Sequence, residues 1–140
     1  MINKHGKSSL GDLILILRRK IMESLKAAGF EHDLTFSQVE VLHFIGPKGK
    51  ETMKSIADFL KITPPSATEI VADMEKKGLI KRQSDKKDRR VVFIVLSPLA
   101  KKLFVSLCKR KELVLKKIFS KLNKKDHENF ERIIRILIKD

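Results

Sequence analysis

The sequence predicts a mainly α fold with one small β-hairpin. Three observations predict it. Apolar residues recur at three- and four-residue steps through most of the 140 residues, β-branched residues crowd into one short run from Arg90 to Leu96, and glycine and proline mark the ends of the periodic stretches.

The first helix is expected to open after Ser8 or Ser9, either of which can cap it. It carries Leu10, Leu13, Ile14, Leu17, Ile21 and Leu25 on one face and ends at Gly29. A second, shorter helix follows Thr35 or Ser37, with Phe36, Val39, Leu42 and Ile45 inward, and stops at Gly46-Pro47. Thr52 caps a third, whose Met53, Ile56, Ala57 and Leu60 repeat the spacing of a buried stripe. In Thr63-Pro64-Pro65-Ser66 the threonine is an N-cap and Pro64 takes the first helical position, where its missing N–H costs nothing. Ala67, Ile70, Val71 and Met74 form that fourth helix's inner face and Gly78 stops it. The third and fourth helices are separated only by Lys61 and Ile62, too tightly to lie antiparallel, which is a helix-turn-helix signature. Lys61 sits where such turns usually have glycine, and a left-handed conformation there would cost a lysine about 1–2 kcal/mol.

Leu79 to Arg82 and Arg90 to Leu96 flank the polar stretch Ser84 to Asp88, and a two-stranded hairpin is the economical reading. Pro98 closes the second strand and opens a long helix with Leu99, Leu103, Leu107, Val114, Ile118 and Leu122 in one stripe. Its other face is lysine-rich, counted as far as Lys124 and Lys125. After Asn123 a last helix places Phe130, Ile133, Ile134, Leu137 and Ile138 on one face. The predicted architecture is a winged helix-turn-helix with additional N- and C-terminal helices, without internal repeats or a low-complexity linker.

Composition limits what such a chain does. Hydrophobic residues at 42% and charged residues at 34% exclude a disordered chain and a disulfide scaffold, and the length suits a single domain. A net charge of +14 points to a polyanion, double-stranded DNA before an anionic membrane surface. The lone cysteine, Cys108, cannot form an internal disulfide and is read as a packed thiol. The start of the sequence lacks the small-residue site expected after a secretory apolar stretch, so a reducing, cytoplasmic setting is expected. The longest apolar run, Leu13 to Leu17, is far short of a membrane span. His5, His32, His43 and His127 share no metal-ligand spacing with one another or with Cys108, so no metal is expected. His43 reads as a partly buried core histidine or as a polar group lining a cleft. No glycine-rich phosphate loop, nucleophile elbow or paired-carboxylate motif is present, so neither an enzyme nor a cofactor is expected.

Two strings carry a resemblance. Asp88-Arg89-Arg90 followed by Val91-Val92-Phe93-Ile94-Val95-Leu96-Ser97 is similar to the wing signature of the MarR (multiple antibiotic resistance regulator) family of bacterial winged-helix transcription factors. Thr68 to Met74, followed by Glu75 to Arg82, resembles that family's recognition helix and its exit into the wing. The resemblance spans essentially the whole of residues 1–140 as one such domain. It implies a DNA-binding core over about 35–97 and dimerisation helices over about 8–29 and 98–140. It also implies a sequence-specific regulator, a repressor acting as a homodimer on an inverted-repeat operator, with release by a small-molecule effector as an option.

On the recognition helix the residues turned from the inner face include Pro65, Ser66, Thr68, Glu69, Ala72, Asp73 and Lys76. Pro65, Ser66, Thr68, Glu69 and Lys76 are the candidates for DNA contact. Glu69 could accept from a cytosine N4 amine, and Glu69 and Asp73 stand where relatives often carry basic residues. In the wing the candidates are Lys86, Lys87, Asp88, Arg89 and Arg90; the hairpin as a whole nets +4. Arg90 is assigned to the minor groove, with Arg89 as the alternate and Asp88 orienting an arginine by a charge-assisted bond. Leu10, Leu13, Leu17, Ile133, Ile134 and Leu137 are the candidate dimer contacts, because the terminal stripes have more apolar surface than one small subunit can cover. Two rivals remain at this level: an architectural protein coating DNA without sequence preference, and a basic helical module for acidic proteins or membrane surfaces.

Overall fold

A computed structural model describes residues 8–29 and 34–140. Its elements in chain order are α1 (Leu10–Ala27), α2 (Phe36–Ile45), β1 (Lys50–Thr52), α3 (Met53–Leu60), α4 (Pro64–Lys76), β2 (Ile80–Ser84), β3 (Val92–Leu96), α5 (Pro98–Phe119) and α6 (Lys124–Leu137). They form two compact units, Met1–Phe30 with Lys109–Asp140, and Glu31–Cys108. His5 and His32, and the sequence start on which the leader expectation rests, lie outside the described residues.

In the Glu31–Cys108 unit the helix starts follow the side-chain chemistry. Thr35, Thr52 and Thr63 each sit in extended backbone and accept from the amide three residues on. Thr35 and Gln38 complete a reciprocal capping box, as do Thr52 and Ser55. The ends are equally specific. Gly78, at φ +72°, closes α4 with bonds from its own amide to the Glu75 carbonyl and from the Leu79 amide to the Met74 carbonyl. Lys61, at φ 54° and ψ 43°, ends α3 in the left-handed region, and among the described residues it is the one non-glycine there. Its amide donates to Asp58 and that of Ile62 to Ala57, so two otherwise open carbonyls offset part of the lysine's conformational cost.

Buried side chains of α2, α3 and α4 meet those of the sheet. Val41, Leu42, Ile45, Ile56, Val71, Met74, Ile80, Ile94 and Leu107 are fully buried, all within this unit. Phe36 corrects the expected inner face of α2: it is 65% exposed, because the first helical residue lies over the open end of the stripe, while Val41 takes an inward place. Leu99, expected in the stripe of α5, is likewise exposed, and Ala100 is buried in its stead.

The sheet is larger than a hairpin. Its three antiparallel strands run in the order β1-β3-β2, with Ile80 opposite Leu96 and Ser84 opposite Val92 in one ladder. In the other, Lys50, Glu51 and Thr52 pair with Val95, Ile94 and Phe93. β1 has no β-branched run or apolar alternation to announce it; pairing with β3 makes it a strand. Its Lys50 ammonium lies 4.3 Å from the Phe93 ring centroid, and Glu51 accepts from the Ser55 hydroxyl (2.7 Å). Charged side chains suit a sheet edge. Ser97, buried at the end of β3, donates to the Gly78 carbonyl (2.6 Å) and accepts from the Ala100 amide (3.1 Å), joining the end of α4 to the first turn of α5.

The other unit is built from α1, the later turns of α5 and α6. Ser9 and Asp12 form a capping box at the start of α1, and Asn123 caps α6. Lys124 and Lys125 therefore open α6 and do not continue the long helix, because α5 ends at Phe119. Phe119 packs on Phe130 with ring centroids 5.2 Å apart. This unit has almost no interior of its own: among its described residues only Leu25 is buried, and every residue of α6 except the half-buried Phe130 is exposed. No described helix is long and apolar enough to cross a membrane.

Candidate nucleic-acid interface

The solvent face of α4 comes directly from its sequence. With Ala67, Val71 and Met74 buried, helical geometry turns Pro65, Ser66, Thr68, Glu69, Asp73 and Lys76 outward, and all six are exposed. Three of these polar groups are already engaged. The Thr68 hydroxyl donates back to the Pro64 carbonyl (2.9 Å), and the Ser66 hydroxyl lies 3.0 Å from that of Thr63. Asp73 accepts from the Gln38 side chain of α2 and pairs with Lys77 (3.0 Å), whose ammonium also donates to Gln38 Oε1 (3.1 Å). Glu69 and Lys76 complete the exposed face.

That Asp73–Gln38–Lys77 triangle ties the two helices together and turns one of the two recognition-face carboxylates toward protein partners. Sequence reading misses it, although the Thr35-x-x-Gln38 spacing is a usable signal for a fixed Gln38. The bonds from Lys77 and then Gln38 hold the Asp73 carboxyl below the ordinary aspartate range. A depressed folded-state pKa means the bond's contribution to stability is fully present above the ordinary value, near 3.9, and is lost as pH falls through the lower one. An NMR titration of the Asp73 side-chain carboxyl is expected to give a midpoint below about 3.9, moved back toward it by Lys77→Gln. An ordinary midpoint in both proteins would remove the triangle.

The wing projects between β2 and β3. Asp88 organises its tip: one carboxylate oxygen accepts from the Arg90 backbone amide (3.0 Å) and from Arg90 Nε (3.2 Å), and the Arg90 side chain remains 92% exposed. Asp85 similarly caps the Lys87 amide (3.2 Å), and its own amide donates to the Val91 carbonyl (2.9 Å). These turns delay the start of β3 to Val92, two residues later than Arg90, where the sequence run begins. Lys86, Lys87 and Arg89 are exposed beside Arg90, whereas Asp88 is half-buried. At the base of the wing Arg82 Nε donates to Glu75 on the last turns of α4 (3.0 Å), a link that sequence spacing does not announce. The recognition-helix and wing candidates thus belong to one unit and are joined through Gly78, Ser97 and the Glu75–Arg82 pair.

The candidate dimer contacts occupy the other unit. Leu10 and Leu137 are each 74% exposed, Leu13, Ile133 and Ile134 are exposed, and Leu17 is half-buried. The apolar surface exceeds the expected stripe: Ile14, Leu15 and Ile16 are also exposed, so α1 is apolar nearly all round at this level. A groove of about 820 Å³ runs among α1, α5 and α6, lined by Leu17, Ile21, Leu115, Phe119, Phe130 and Ile134 among others.

His43 is half-buried. Its Nδ1 donates to the Val39 carbonyl (2.9 Å), Phe104 meets it edge-on at 5.3 Å, and Cys108 Sγ lies 4.0 Å from Nε2. The described residues contain no group of three or more histidine, cysteine or acidic side chains able to hold a metal ion.

A helix-turn-helix whose second helix shows a polar face, followed by a basic wing on a three-stranded sheet, defines the winged helix-turn-helix class of DNA-binding regulators. Residues 32–91 match the model of the MarR family. That match covers α2 to α4 and the wing as far as Val91, so this segment is similar to the MarR family in sequence as well as in fold. The chain is similar to the HTH-type transcriptional regulator YfiV of Bacillus subtilis, with 26% identity over 132 residues covering 91% of this chain and 82% of YfiV. Its fold is shared with a MarR family protein from Bacillus stearothermophilus, at a TM-score of 0.80, 19% identity and coverage of 98% of this chain and 96% of that one. It is also shared with S. aureus MepR, solved as a DNA complex, at a TM-score of 0.74, 20% identity and coverage of 94% and 98%.

Proposed function

We propose that this protein is a cytoplasmic repressor that binds an inverted-repeat operator in double-stranded DNA as a homodimer, with release by a small-molecule effector. Each protomer sets α4 in a major groove and the wing, through Arg90, in the adjacent minor groove. Residues 35–97 form the binding core, and 8–29 with 98–140 the dimerisation helices. Pro65, Ser66, Thr68, Glu69 and Lys76 face the bases and phosphates from α4, and Lys86, Lys87, Arg89 and Arg90 face them from the wing, with Asp88 holding Arg90. The observation that carries this reading is the coupling of an exposed recognition face to an exposed, basic wing tip by Glu75–Arg82 and Ser97–Gly78. The solved DNA complex of MepR, which has the same fold, supports it. The exposed apolar faces of α1 and α6 support the homodimer, since a monomer rarely leaves so much contiguous apolar surface open. For an effector there is room in a cavity of about 590 Å³ between α1 and α5, rimmed by Lys20, Lys117 and Lys121.

Spacing tests the reading. Two recognition helices related by a two-fold axis meet successive major grooves about 10–10.5 base pairs apart, so sequences selected from a random duplex pool are expected to show two-fold symmetry. Inserting about five base pairs between the half-sites puts them on opposite faces of the duplex and is expected to abolish the specific complex in a gel-shift titration. Unchanged binding after the insertion would favour DNA coating without sequence preference.

A further inference from the structure

The leading end of α4 is almost empty of hydrogen-bond donors. Four amides ordinarily stay open at a helix N-terminus. Here Pro64 and Pro65 have no N–H, the Ser66 amide donates to Thr63 Oγ1 (3.4 Å), and the Ala67 amide donates to the Thr63 carbonyl (3.0 Å). The side chains continue the pattern. From Pro64 to Asp73 there is no lysine, arginine, asparagine, glutamine or histidine. The Thr68 proton goes to the Pro64 carbonyl, and the paired hydroxyls of Thr63 and Ser66 keep one free proton between them. The exposed remainder consists of the Pro65 ring, the Thr68 methyl and lone pairs, and the Glu69 carboxylate, with the half-buried Ala72 methyl beside them.

Base pairs present complementary edges. In the major groove guanine shows only acceptors, N7 and O6, while cytosine N4 and adenine N6 are amine donors and thymine shows a methyl group. A face of acceptors and apolar carbon satisfies the amines and packs on the methyl. Apart from the one hydroxyl proton left between Thr63 and Ser66 it has nothing to give purine N7, and a carboxylate facing guanine is repelled by both acceptors.

We propose that α4 reads its operator as a hydrogen-bond acceptor, selecting the exocyclic amines of cytosine and adenine and the methyl of thymine without using purine N7. The inference rests on the proposal that α4 enters the major groove, and it deepens that reading to a chemical class of target. It also makes the complex sensitive to methylation of the bases. In N4-methylcytosine and N6-methyladenine the paired hydrogen is retained, so the methyl replaces the hydrogen that faces the groove. Lys76 and the wing lie beyond this stretch and supply charge.

The test uses the full-length protein and a duplex of about 30 base pairs, enough for two half-sites about one helical turn apart, recovered by selection from a random pool. At the half-site centres 7-deazapurines, which lack N7, replace guanine and adenine in one set of duplexes. N4-methylcytosine and N6-methyladenine replace their parents in another. The deaza duplexes are expected to bind within about twofold of the parent and the amine-methylated duplexes about tenfold or more weakly. Glu69→Gln, which adds an amide donor, is expected to acquire a deazapurine sensitivity at one base pair per half-site that the wild type lacks. An equal or larger loss with the deazapurines, or no loss with the methylated amines, overturns the inference while leaving DNA recognition intact. Selection that enriches no sequence overturns the sequence-reading role of α4 and this inference with it.

Discussion

Replacing Ile134 or Leu137 with glutamate is expected to convert the proposed dimer to monomer or to aggregate at micromolar concentration, read by sedimentation. The physical case is the missing interior of the α1–α5–α6 unit. Its described residues bury only Leu25, yet Leu10, Leu13, Ile14, Ile133, Ile134 and Leu137 all stand open, and Ile134 also lines the groove among the three helices. A second copy seated there would bury these side chains, and each is used twice in a two-fold interface. An uncompensated charge placed in such an interface costs about 3–5 kcal/mol, and each 1.4 kcal/mol is about tenfold in the dissociation constant. The expected loss is therefore several orders of magnitude. The fully buried side chains of the Glu31–Cys108 unit include neither position, so its helices and sheet should stay folded by circular dichroism. A soluble, unaltered dimer would remove this interface.

Arg90→Ala is expected to weaken binding to every DNA sequence. The structure separates this effect from folding, because Asp88 accepts from the backbone amide of residue 90 as well as from the guanidinium. The alanine variant keeps the backbone bond and so the turn at the wing tip. What it gives up is a 92% exposed cation held in one orientation, twice per operator. Affinity is expected to fall by about ten- to a hundredfold on the selected operator, and the salt slope to shrink by about one unit for each phosphate that the variant no longer neutralises. Titrations on the operator and on random duplex at two salt concentrations measure both quantities. Binding like that of the unmodified protein would sink the wing assignment.

The two variants act on different units, and much of the local structure within each is legible in the sequence. Thr35, Thr52, Thr63 and Asn123 mark helix starts by their own chemistry, Gly78 marks an end, and the spacing of Ala67, Val71 and Met74 assigns the faces of α4. These are local rules, and they hold because capping and helical periodicity involve residues within four positions of one another. The Asp88-Arg89-Arg90 string likewise announces a wing arginine with a carboxylate two residues away, and the structure pairs Asp88 with Arg90.

Where the sequence reading falls short, the deciding partner is distant along the chain or absent from it. Lys50-Glu51-Thr52 carries no strand signal and becomes β1 only because β3 offers a free edge more than forty positions away. By helical position Asp73 groups with Glu69 as a carboxylate facing the groove. Gln38, 35 positions upstream, and Lys77 engage the still exposed Asp73 carboxylate and draw it to their side of the helix. Phe36 and Leu99 fit their apolar stripes by period, yet both lie at helix starts beyond the packed core.

By itself the sequence determined the order of the helices, their caps, the helix-turn-helix junction at Lys61 and the basic wing, since each depends on neighbours a few residues apart. Only the tertiary structure decided the third strand and the state of Asp73. A ladder between strands or a bond from Gln38 to Asp73 exists only once chain folding has brought partners distant in sequence within a few ångströms.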